Sequence, residues 1–501
     1  MAGDLDLKVG ISGVRGVVGK GLTVQVALDF ARAFASWAPG RRIALGRDTR
    51  ITGEMLRAAV VAGLCQGGRD VVDFGVLPVP AFQTAIRFND TLSGGVYISA
   101  SHNPEDENGL KFYRPDGIIL FPDQAEEIIA AWRTRGFSTV AYDKIGAIEC
   151  ASGAIEQHIE RVASLVDCDL IRSARLKVVI DCNNGAGCLC TEDLLTRLGV
   201  LRVDVMNGEP TGRFAHKPEP VPEHMKQLAA RVAELGYHIG FSQDPDADRV
   251  SIAACVPGKA GLRGKAIGEE YTLALGAASV AAQARENGQR VVMACNTSTS
   301  RMIEQIAAEY ELDFDRSPVG EVNVVLKLRE LLENARREHP GADVFAFGGE
   351  GGGGIIDGRN QYCRDSINSI ALILQGLARW KLRKDRPDLP RPDDERLLLD
   401  HWRRSVLPPC AIVKDSMRFE SLREQNKVLK AVFRRLLAAD VPEQDKRDDD
   451  GVRVRYADGS WVHVRPSNTE PIVRFIAEHD TTRRARALLD EAMQVARDAR
   501  G

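Results

Sequence analysis

The chain has 501 residues, which is too long for one hydrophobic core and, at about 100 to 200 residues per domain, predicts three or four domains. The 67 Lys and Arg against 70 Asp and Glu give a formal net charge of -3, so no global basic field attracts nucleic acid. No stretch offers the roughly 18 uninterrupted apolar residues that cross a bilayer, and the first residues lack a basic segment followed by an apolar run. We therefore expect a cytoplasmic protein without nucleic-acid or membrane partners.

Three segments of similar pattern open α/β units along the chain, beginning at Arg42, Lys177 and Arg290. Each is a charged residue, a short apolar strand and a polar turn, and each precedes a stretch with helical periodicity. Strands that alternate with helices are typical of parallel or mixed sheets covered by helices. The pattern predicts three related α/β domains in tandem.

The C-terminal part follows a different pattern. The segment from Arg383 to Arg396 is rich in proline and charge, which is typical of a linker. Beyond it, residues 452–456 and 461–465 alternate with period two about an Asp-Gly turn, which predicts a β-hairpin. Residues 481–499 predict a terminal helix. The last domain is therefore expected to combine an antiparallel sheet with helices.

A polar loop that ends at a proline follows the apolar strand beginning at Gly95. It places Ser101 beside His102, with Lys111 ten residues after the serine. Such a serine could be phosphorylated and served by neighbouring acid and base groups. The structural alternative is a solvated turn in which Ser101 and Asn103 cap backbone groups.

A second motif, Asp244-Pro-Asp-Ala-Asp-Arg249, follows the apolar strand Ile239-Gly-Phe. Its alternate carboxylates, Asp244, Asp246 and Asp248, supply three hard oxygen ligands that suit magnesium. A calcium EF-hand loop needs glycine at position six and glutamate at position twelve, but counting from Asp244 gives Arg249 and Cys255. A solvated acidic turn is the structural alternative.

Two further loops carry polar groups. Arg465-Pro-Ser-Asn-Thr-Glu-Pro471 and the following Arg474 gather donors that can wrap a phosphate monoester, although an ordinary polar turn has the same composition. The loop Gly348-Gly-Glu-Gly-Gly-Gly-Gly354 lacks the Gly-Lys-Ser/Thr ending of a Walker loop, and its Glu350 can bind sugar hydroxyls; a flexible turn is the structural alternative. The cysteines at 182, 188 and 190 lack zinc-ligand spacing and are interpreted as free thiols.

Taken together and in this order, the four motifs resemble the α-D-phosphohexomutase superfamily across nearly the entire chain. Three further segments also match that family: Gly10-Ile-Ser-Gly-Val-Arg-Gly, Gly46-Arg-Asp-Thr-Arg50 and Phe214-Ala-His-Lys-Pro-Glu-Pro220. The resemblance implies four domains around a central active-site cleft. We expect them at 1–150 with a phosphoserine loop, 151–256 with a metal-binding loop, 257–385 with a sugar-binding loop and 400–501 with a phosphate-binding loop.

The resemblance also implies the roles of individual residues. Ser101 would be the phosphoserine, and its phosphate with Asp244, Asp246 and Asp248 would hold one magnesium ion. Arg15, Lys111 and Arg249 would surround the transferring group, with Lys111 and His102 as acid/base candidates. The residues expected to bind substrate are Glu321, Glu350, Arg465, Ser467, Asn468, Thr469 and Arg474.

The implied activity interconverts hexose 1-phosphate and hexose 6-phosphate through a hexose 1,6-bisphosphate, which also acts as activator. Many relatives have Glu-x-Ser-Gly-His where this chain has Glu350-Gly-Gly-Gly-Gly354. The glycine-rich form resembles phosphoglucosamine mutases, and Glu321 could pair with a 2-ammonium group. The alternatives are a phosphomannomutase or phosphoglucomutase, a phosphatase, and a catalytically silent regulator that binds sugar phosphates. Monomer and homodimer both stay open.

Overall fold

The computed structural model describes residues 7–137, 139–259, 261–438, 441, 446–447, 450–467 and 471–500. These residues form four β-sheets with accompanying helices; the first three sheets are mixed and the fourth is antiparallel. The predicted fold class, three tandem α/β domains followed by an α+β domain, is therefore confirmed. We number the domains I to IV in chain order.

Domain I contains a seven-stranded sheet and four α-helices. Its strands are β1 (Leu7–Gly10), β2 (Gly13–Val17), β3 (Arg42–Arg47), β4 (Asp70–Val76), β5 (Gly95–Ile98), β6 (Glu107–Tyr113) and β7 (Ile148–Cys150). Its helices are α1 (Val24–Trp37), α2 (Gly53–Gln66), α3 (Val79–Arg87) and α4 (Pro122–Thr134). The strand order is β1-β2-β6-β5-β3-β4-β7, and β3 pairs in parallel with both β4 and β5.

Domain II contains a five-stranded sheet. Its helices are α5 (Ala154–Ser164), α6 (Cys168–Ser173), α7 (Thr191–Arg197) and α8 (Lys226–Leu235). Its strands are β8 (Lys177–Asp181), β9 (Arg202–Met206), β10 (Ile239–Gln243), β11 (Val250–Gly258) and β12 (Gly261–Ala266). The strand order is β12-β11-β10-β8-β9, with β8 parallel to β9 and β10.

Domain III repeats this arrangement. Its helices are α9 (Glu270–Asn287), α10 (Met302–Glu309), α11 (Glu321–Glu338) and α12 (Ser366–Lys381). Its strands are β13 (Arg290–Asn296), β14 (Asp313–Ser317), β15 (Val344–Glu350), β16 (Gly354–Asp357) and β17 (Gln361–Arg364). The strand order is β14-β13-β15-β16-β17, with β13 parallel to β14 and β15.

Helix α13 (Leu398–Val406) and domain IV complete the described chain. The described part of domain IV consists of β18 (Ala411–Arg418), α14 (Leu422–Leu437), β19 (Lys446–Arg447), β20 (Val452–Arg455), β21 (Trp461–Pro466), β22 (Ile472–His479) and α15 (Thr482–Arg500). The predicted hairpin is confirmed, with Val452 opposite Val464 and Arg455 opposite Trp461. Three short 3-10 helices lie at Tyr142–Lys144, Ala186–Leu189 and Glu395–Leu397.

Domains I, II and III share one topology around their central strands. In each, a first strand lies between two parallel neighbours, and the third strand turns directly into an antiparallel one. The loop at that turn carries Ser101 in domain I, the aspartate triad in domain II and the glycine-rich segment in domain III. The repeated topology therefore places three of the four sequence motifs at equivalent positions.

The hydrophobic cores explain how these loops are held. Domains II and III share one continuous core, which also takes in Leu398 and Trp402 of α13, whereas domains I and IV each pack mainly around a core of their own. Domain IV is tied to domain III by the buried ion pair of Arg301 with Glu478, at 3.2 Å. Among the described helices, none combines the length and apolar character needed to span a membrane.

Candidate active site

Ser101 lies in the loop between β5 and β6 with a left-handed backbone, φ 52°, and is 1% exposed. Its backbone N–H donates to Ser99 Oγ at 2.8 Å, which fixes this uncommon conformation. Its hydroxyl donates to Asp244 Oδ2 at 3.1 Å, and His102 Nδ1 lies 3.4 Å from Ser101 Oγ. The loop therefore presents the Ser101 hydroxyl to the aspartate triad of domain II.

The guanidinium of Arg50 holds the Ser101 loop in place. It donates to four carbonyl oxygens of the loop, those of Ser101, Asn103, Pro104 and Glu107, at 2.5 to 2.9 Å. Arg50 is 1% exposed and also pairs with Asp48 at 3.2 Å. Arg50 lies in a segment that matches the family pattern, but its role could not be read from the sequence because its hydrogen bonds run to backbone groups more than 50 residues away.

Asp244, Asp246 and Asp248 are buried and bring one oxygen each to within 4.8 Å of one another. Metal ions in proteins are bound mainly by Asp, Glu, His and Cys side chains, and among the described residues these three aspartates form the one cluster of such side chains close enough to share an ion. The triad follows β10 on a tight turn in which Ala247 has φ 58° and the backbone N–H groups of Asp248 and Arg249 donate to Asp244 Oδ1. The turn thereby points three carboxylates to one side.

Protein groups fix one oxygen of each carboxylate. Besides the two N–H groups on Asp244, Asp246 Oδ2 accepts from Lys111 Nζ at 2.6 Å, and Asp248 Oδ2 accepts from Arg364 Nη2 at 2.6 Å. In the described structure the Oδ1 atoms of Asp246 and Asp248 are buried without a hydrogen-bond partner. Buried oxygens rarely go unpaired, so these orphaned atoms fit a hard divalent cation such as magnesium.

The electrostatics of the triad agree with this fit. Burial and the neighbouring Asp248 and Asp246 raise the pKa of Asp244 well above its usual range. Burial also acts on Asp248, but the charges of Arg364, Lys111 and Arg249 outweigh it and lower that pKa. Against the effect of burial, Lys111 likewise lowers the pKa of Asp246. Asp244 is therefore the carboxylate whose negative charge the described side chains compensate least, and a proton or a bound cation would compensate it.

Further basic groups surround the triad. Arg249 Nε lies 3.7 Å from Asp248 Oδ1. Burial lowers the pKa of Arg15; the charge of Asp246 acts in the opposite direction and that of Arg249 in the same direction. In the described structure the Nε atoms of Arg15 and Arg249 are buried without a hydrogen-bond partner. The pKa of His102 is well below its usual value because of the charge of Arg249, burial and the charge of Arg15. The His102 imidazole is therefore neutral at neutral pH. The cluster suits an anion with several oxygens.

Glu350 and Glu321 meet at the guanidinium of Arg364. Arg364 Nη1 donates to Glu350 Oε2 at 3.1 Å, and its Nε lies 3.3 Å from Glu321 Oε2. The backbone N–H of Arg364 donates to Glu321 Oε1 at 3.1 Å, and Asn296 Nδ2 donates to Glu350 Oε1 at 2.8 Å. Arg364 thus contacts Glu321, Glu350 and, in the triad, Asp248 with one guanidinium group.

The glycine-rich loop makes room for Arg364. A Cβ at Gly354 would collide with the aliphatic part of the Arg364 side chain, and a Cβ at Gly353, which has φ 85°, would meet the carbonyl of Val250. Gly354 stands at the histidine position of the Glu-x-Ser-Gly-His pattern with which this loop was compared above. In this chain the room for a side chain at 354 is therefore taken by Arg364, which the sequence analysis did not single out.

The loop of domain IV forms a separate cluster. Arg465 Nε donates to Asp450 Oδ1 at 3.2 Å, and Asp450 Oδ2 accepts from the N–H of Val319, two residues before Glu321. Arg474 lies opposite Arg465 in the β21–β22 pair, and the N–H of Ser467 donates to the carbonyl of Ile472. The predicted ligands Asn468 and Thr469 lie outside the described residues.

Replacing Arg364 by Met leaves the carboxylates of Asp248, Glu321 and Glu350 without their shared cation. We expect Arg364→Met to lower the free energy of unfolding, measured in urea, by about 3 kcal/mol at neutral pH. Unpaired buried carboxylates have folded-state pKa values above the unfolded ones, so this loss grows as pH rises and shrinks at mildly acidic pH. The control is Arg290→Met on the exposed end of β13, and equal stability of the two variants would contradict the expectation.

Models of four known domain families match this chain in the order of its domains. They are described as phosphoglucomutase/phosphomannomutase alpha/beta/alpha domains I, II and III and the C-terminal domain, and they match residues 6–138, 156–255, 269–387 and 412–495. Together they cover most of the chain, including all four loops.

Relatives of similar length carry mutase names. A protein of Methanopyrus kandleri named probable phosphoglucosamine mutase is 33% identical over 97% of each chain. A phosphoglucomutase/phosphomannomutase of Thermococcus kodakarensis is 32% identical over 98% of each chain. The crystal structure of a phosphoglucomutase/phosphomannomutase family protein from Burkholderia thailandensis has the same fold, with a TM-score of 0.77, 24% identity and 98% of each chain covered. The chain belongs to the α-D-phosphohexomutase superfamily, whose members are isomerases that move a phosphoryl group.

Proposed function

We propose that the chain is a magnesium-dependent phosphohexomutase that converts glucosamine 6-phosphate and glucosamine 1-phosphate into each other. The observation that carries the proposal is the Ser101 hydroxyl, 3.1 Å from Asp244 within a buried triad of aspartates and basic groups. A serine so placed can carry a phosphoryl group whose charge is neutralised from several sides.

Magnesium fits the oxygens that the triad leaves free. Asp244, Asp246 and Asp248, together with a phosphate on Ser101, would hold it. When bound, it neutralises negative charge on the phosphate oxygens. A structure of the N-acetylphosphoglucosamine mutase of Aspergillus fumigatus is titled as a complex with GlcNAc-6P and magnesium; its TM-score to this chain is 0.51 at 15% identity, with 91% of this chain and 82% of that chain covered.

The transfer follows from the groups around Ser101. A sugar hydroxyl attacks the phosphorus in line, the bond to Ser101 Oγ breaks, and a new P–O bond gives a hexose 1,6-bisphosphate. The proton of the attacking hydroxyl passes to His102, whose neutral imidazole can accept it, while Lys111, Arg15 and Arg249 stabilise the phosphate oxygens. Lys111, the other acid/base candidate, is an ammonium group paired with Asp246 and donates the proton that the departing Ser101 Oγ needs. The reverse transfer returns the other phosphate to Ser101 after the bisphosphate has turned over.

The other end of the substrate is assigned to domains III and IV. Glu350 accepts hydrogen bonds from ring hydroxyls, while Arg465 and the other loop donors, Ser467, Asn468, Thr469 and Arg474, bind the phosphate that is not being transferred. In the described structure Asp450 takes the place of an anion on Arg465. Added hexose 1,6-bisphosphate would activate the enzyme by phosphorylating Ser101.

The preference for glucosamine rests on two observations. The relative from Methanopyrus kandleri is named a phosphoglucosamine mutase, and Glu321 brings a second carboxylate to the sugar loop, where it can pair with a 2-ammonium group. The relative from Thermococcus kodakarensis favours a phosphoglucomutase/phosphomannomutase as the second candidate. Both candidates use the same phosphoserine chemistry.

The reaction is tested by the turnover of glucosamine, glucose and mannose 1-phosphates with magnesium and the matching 1,6-bisphosphate. We expect the highest kcat/KM for glucosamine 1-phosphate and loss of isomer formation in Ser101→Ala, because Ser101 presents its hydroxyl to Asp244. The Ser99 hydroxyl also contacts the triad, but it is held between Asp246, to which it donates at 3.0 Å, and the backbone N–H of Ser101. A glucose or mannose preference would replace the substrate assignment. Release of free phosphate faster than isomer formation on every sugar would indicate a phosphatase, and absence of turnover that depends on Ser101 would indicate a sugar-phosphate-binding regulator.

Glu321 is tested by the neutral substitution Glu321→Gln. We expect the ratio of kcat/KM for glucosamine over glucose phosphate to fall about tenfold, since a charge-assisted contact with the 2-ammonium group becomes a neutral one. The glucose reaction serves as internal control because it has no ammonium group. An unchanged ratio would contradict the role of Glu321 while leaving the mutase mechanism intact.

A further inference from the structure

A cavity lies between domains I and III and shares no residue with the site around Ser101. Its volume is about 470 Å³, within the range of small-molecule sites. Domain I contributes the end of α3 and the turn between β6 and α4. Domain III contributes one side of α11, the start of β15 and the turn between β16 and β17. The walls are therefore made by elements that two packed domains hold in place.

Positive charge dominates the rim of this interdomain cavity. Four arginines line it, against two acidic residues, Asp116 and Glu333; the arginines are Arg87, Arg329, Arg336 and Arg359. Asp116 already accepts two bonds from Arg114 at 3.1 Å, and Arg329 lies 3.6 Å from it. Arg336 is exposed, and within the described part of the chain no carboxylate lies within 4.0 Å of it. Arg359 is already paired with Asp357 at 2.7 Å, so the surplus of positive charge in the lining rests on Arg87 and Arg336.

Arg87 adds a cation that is compensated only weakly. Its guanidinium donates to the carbonyls of Asn360 and Gly358 at 2.9 and 3.3 Å, and it contacts no carboxylate in the described structure. Burial lowers its pKa, although Asp116 and Asp357 act in the opposite direction. A guanidinium held by neutral acceptors at the wall of a cavity gains from an added anion, because the surroundings screen it less than water does.

The floor of the cavity is apolar. It is lined by the buried side chains of Ile118, Leu332 and Val344. The rings of Phe345 and Tyr362 also line the cavity, with the guanidinium groups of Arg359 and Arg87 over them at 4.3 and 5.5 Å. A small inorganic anion would leave this surface in contact with water, whereas a flat apolar group would cover it. We propose that the interdomain cavity binds an anion that joins a planar ring to a phosphate group, the chemistry of a nucleoside phosphate.

The proposal is tested by isothermal titration calorimetry of the full chain with ADP. Two further ligands are titrated separately: pyrophosphate, which has only the anionic part, and adenosine, which has only the ring-bearing part. We expect ADP to bind more tightly than either. Arg336→Ala should weaken ADP binding about tenfold through the loss of one charge-assisted contact. The matched control is Arg337→Ala, which alters the neighbouring exposed arginine outside the cavity lining.

A second control separates this cavity from the active site. Arg465→Ala removes the proposed phosphate ligand of domain IV and should leave ADP binding unchanged. No binding of ADP, equal binding by Arg336→Ala and the wild type, or loss of binding in Arg465→Ala would overturn the proposal. Pyrophosphate binding as tight as that of ADP would contradict the ring-bearing ligand. None of these outcomes depends on which sugar phosphate the enzyme converts.

Discussion

The active site depends on the neutralisation of buried negative charge. Three aspartates within 4.8 Å of one another repel, and burial makes each charge costly. Lys111 and Arg364 each neutralise one fixed oxygen at 2.6 Å, and backbone N–H groups hold another. The carboxylate oxygens that these partners do not bind can accept a cation or, at Asp244, the Ser101 hydroxyl. The charge balance that permits folding therefore also prepares the site for phosphoryl transfer.

Arg364 extends this balance from the triad to the two carboxylates at the glycine-rich loop. Its guanidinium contacts Asp248, Glu350 and Glu321 together, and Gly354 leaves the room for it. The pair of Gly354 and Arg364 gives a physical reason for the departure from Glu-x-Ser-Gly-His. A histidine at 354 would need the volume that Arg364 occupies, so the two arrangements exclude each other at this position.

Much of the fold followed from local pattern. The strands at Arg42, Lys177 and Arg290, the hairpin of domain IV and the terminal helix were all predicted from periodicity and turn residues. The equivalence of the three loops was harder to foresee, because it arises from strand order, which depends on contacts between distant segments. The topology then explains why motifs far apart in the chain meet at one place.

Single residues were least predictable where an ordinary residue type acts through tertiary contacts. Arg50 stabilises the Ser101 loop through backbone carbonyls, and Arg364 stands at the end of an edge strand. Neither is distinguished by spacing in a chain that contains many arginines. The signal available for Arg364 was its position directly before Asp365, which accepts hydrogen bonds from the first N–H groups of α12 and so marks a strand-to-helix turn beside the site.

The central claim is that Ser101 carries the phosphoryl group during turnover. The most direct measurement is peptide mass spectrometry of the chain after treatment with a hexose 1,6-bisphosphate and magnesium, followed by addition of a hexose 6-phosphate. The account predicts one phosphate on Ser101 and its transfer to the added sugar, with no phosphate gained by Ser101→Ala. A phosphate on another residue, or one that stays on Ser101 when every candidate sugar phosphate is added, would contradict the account.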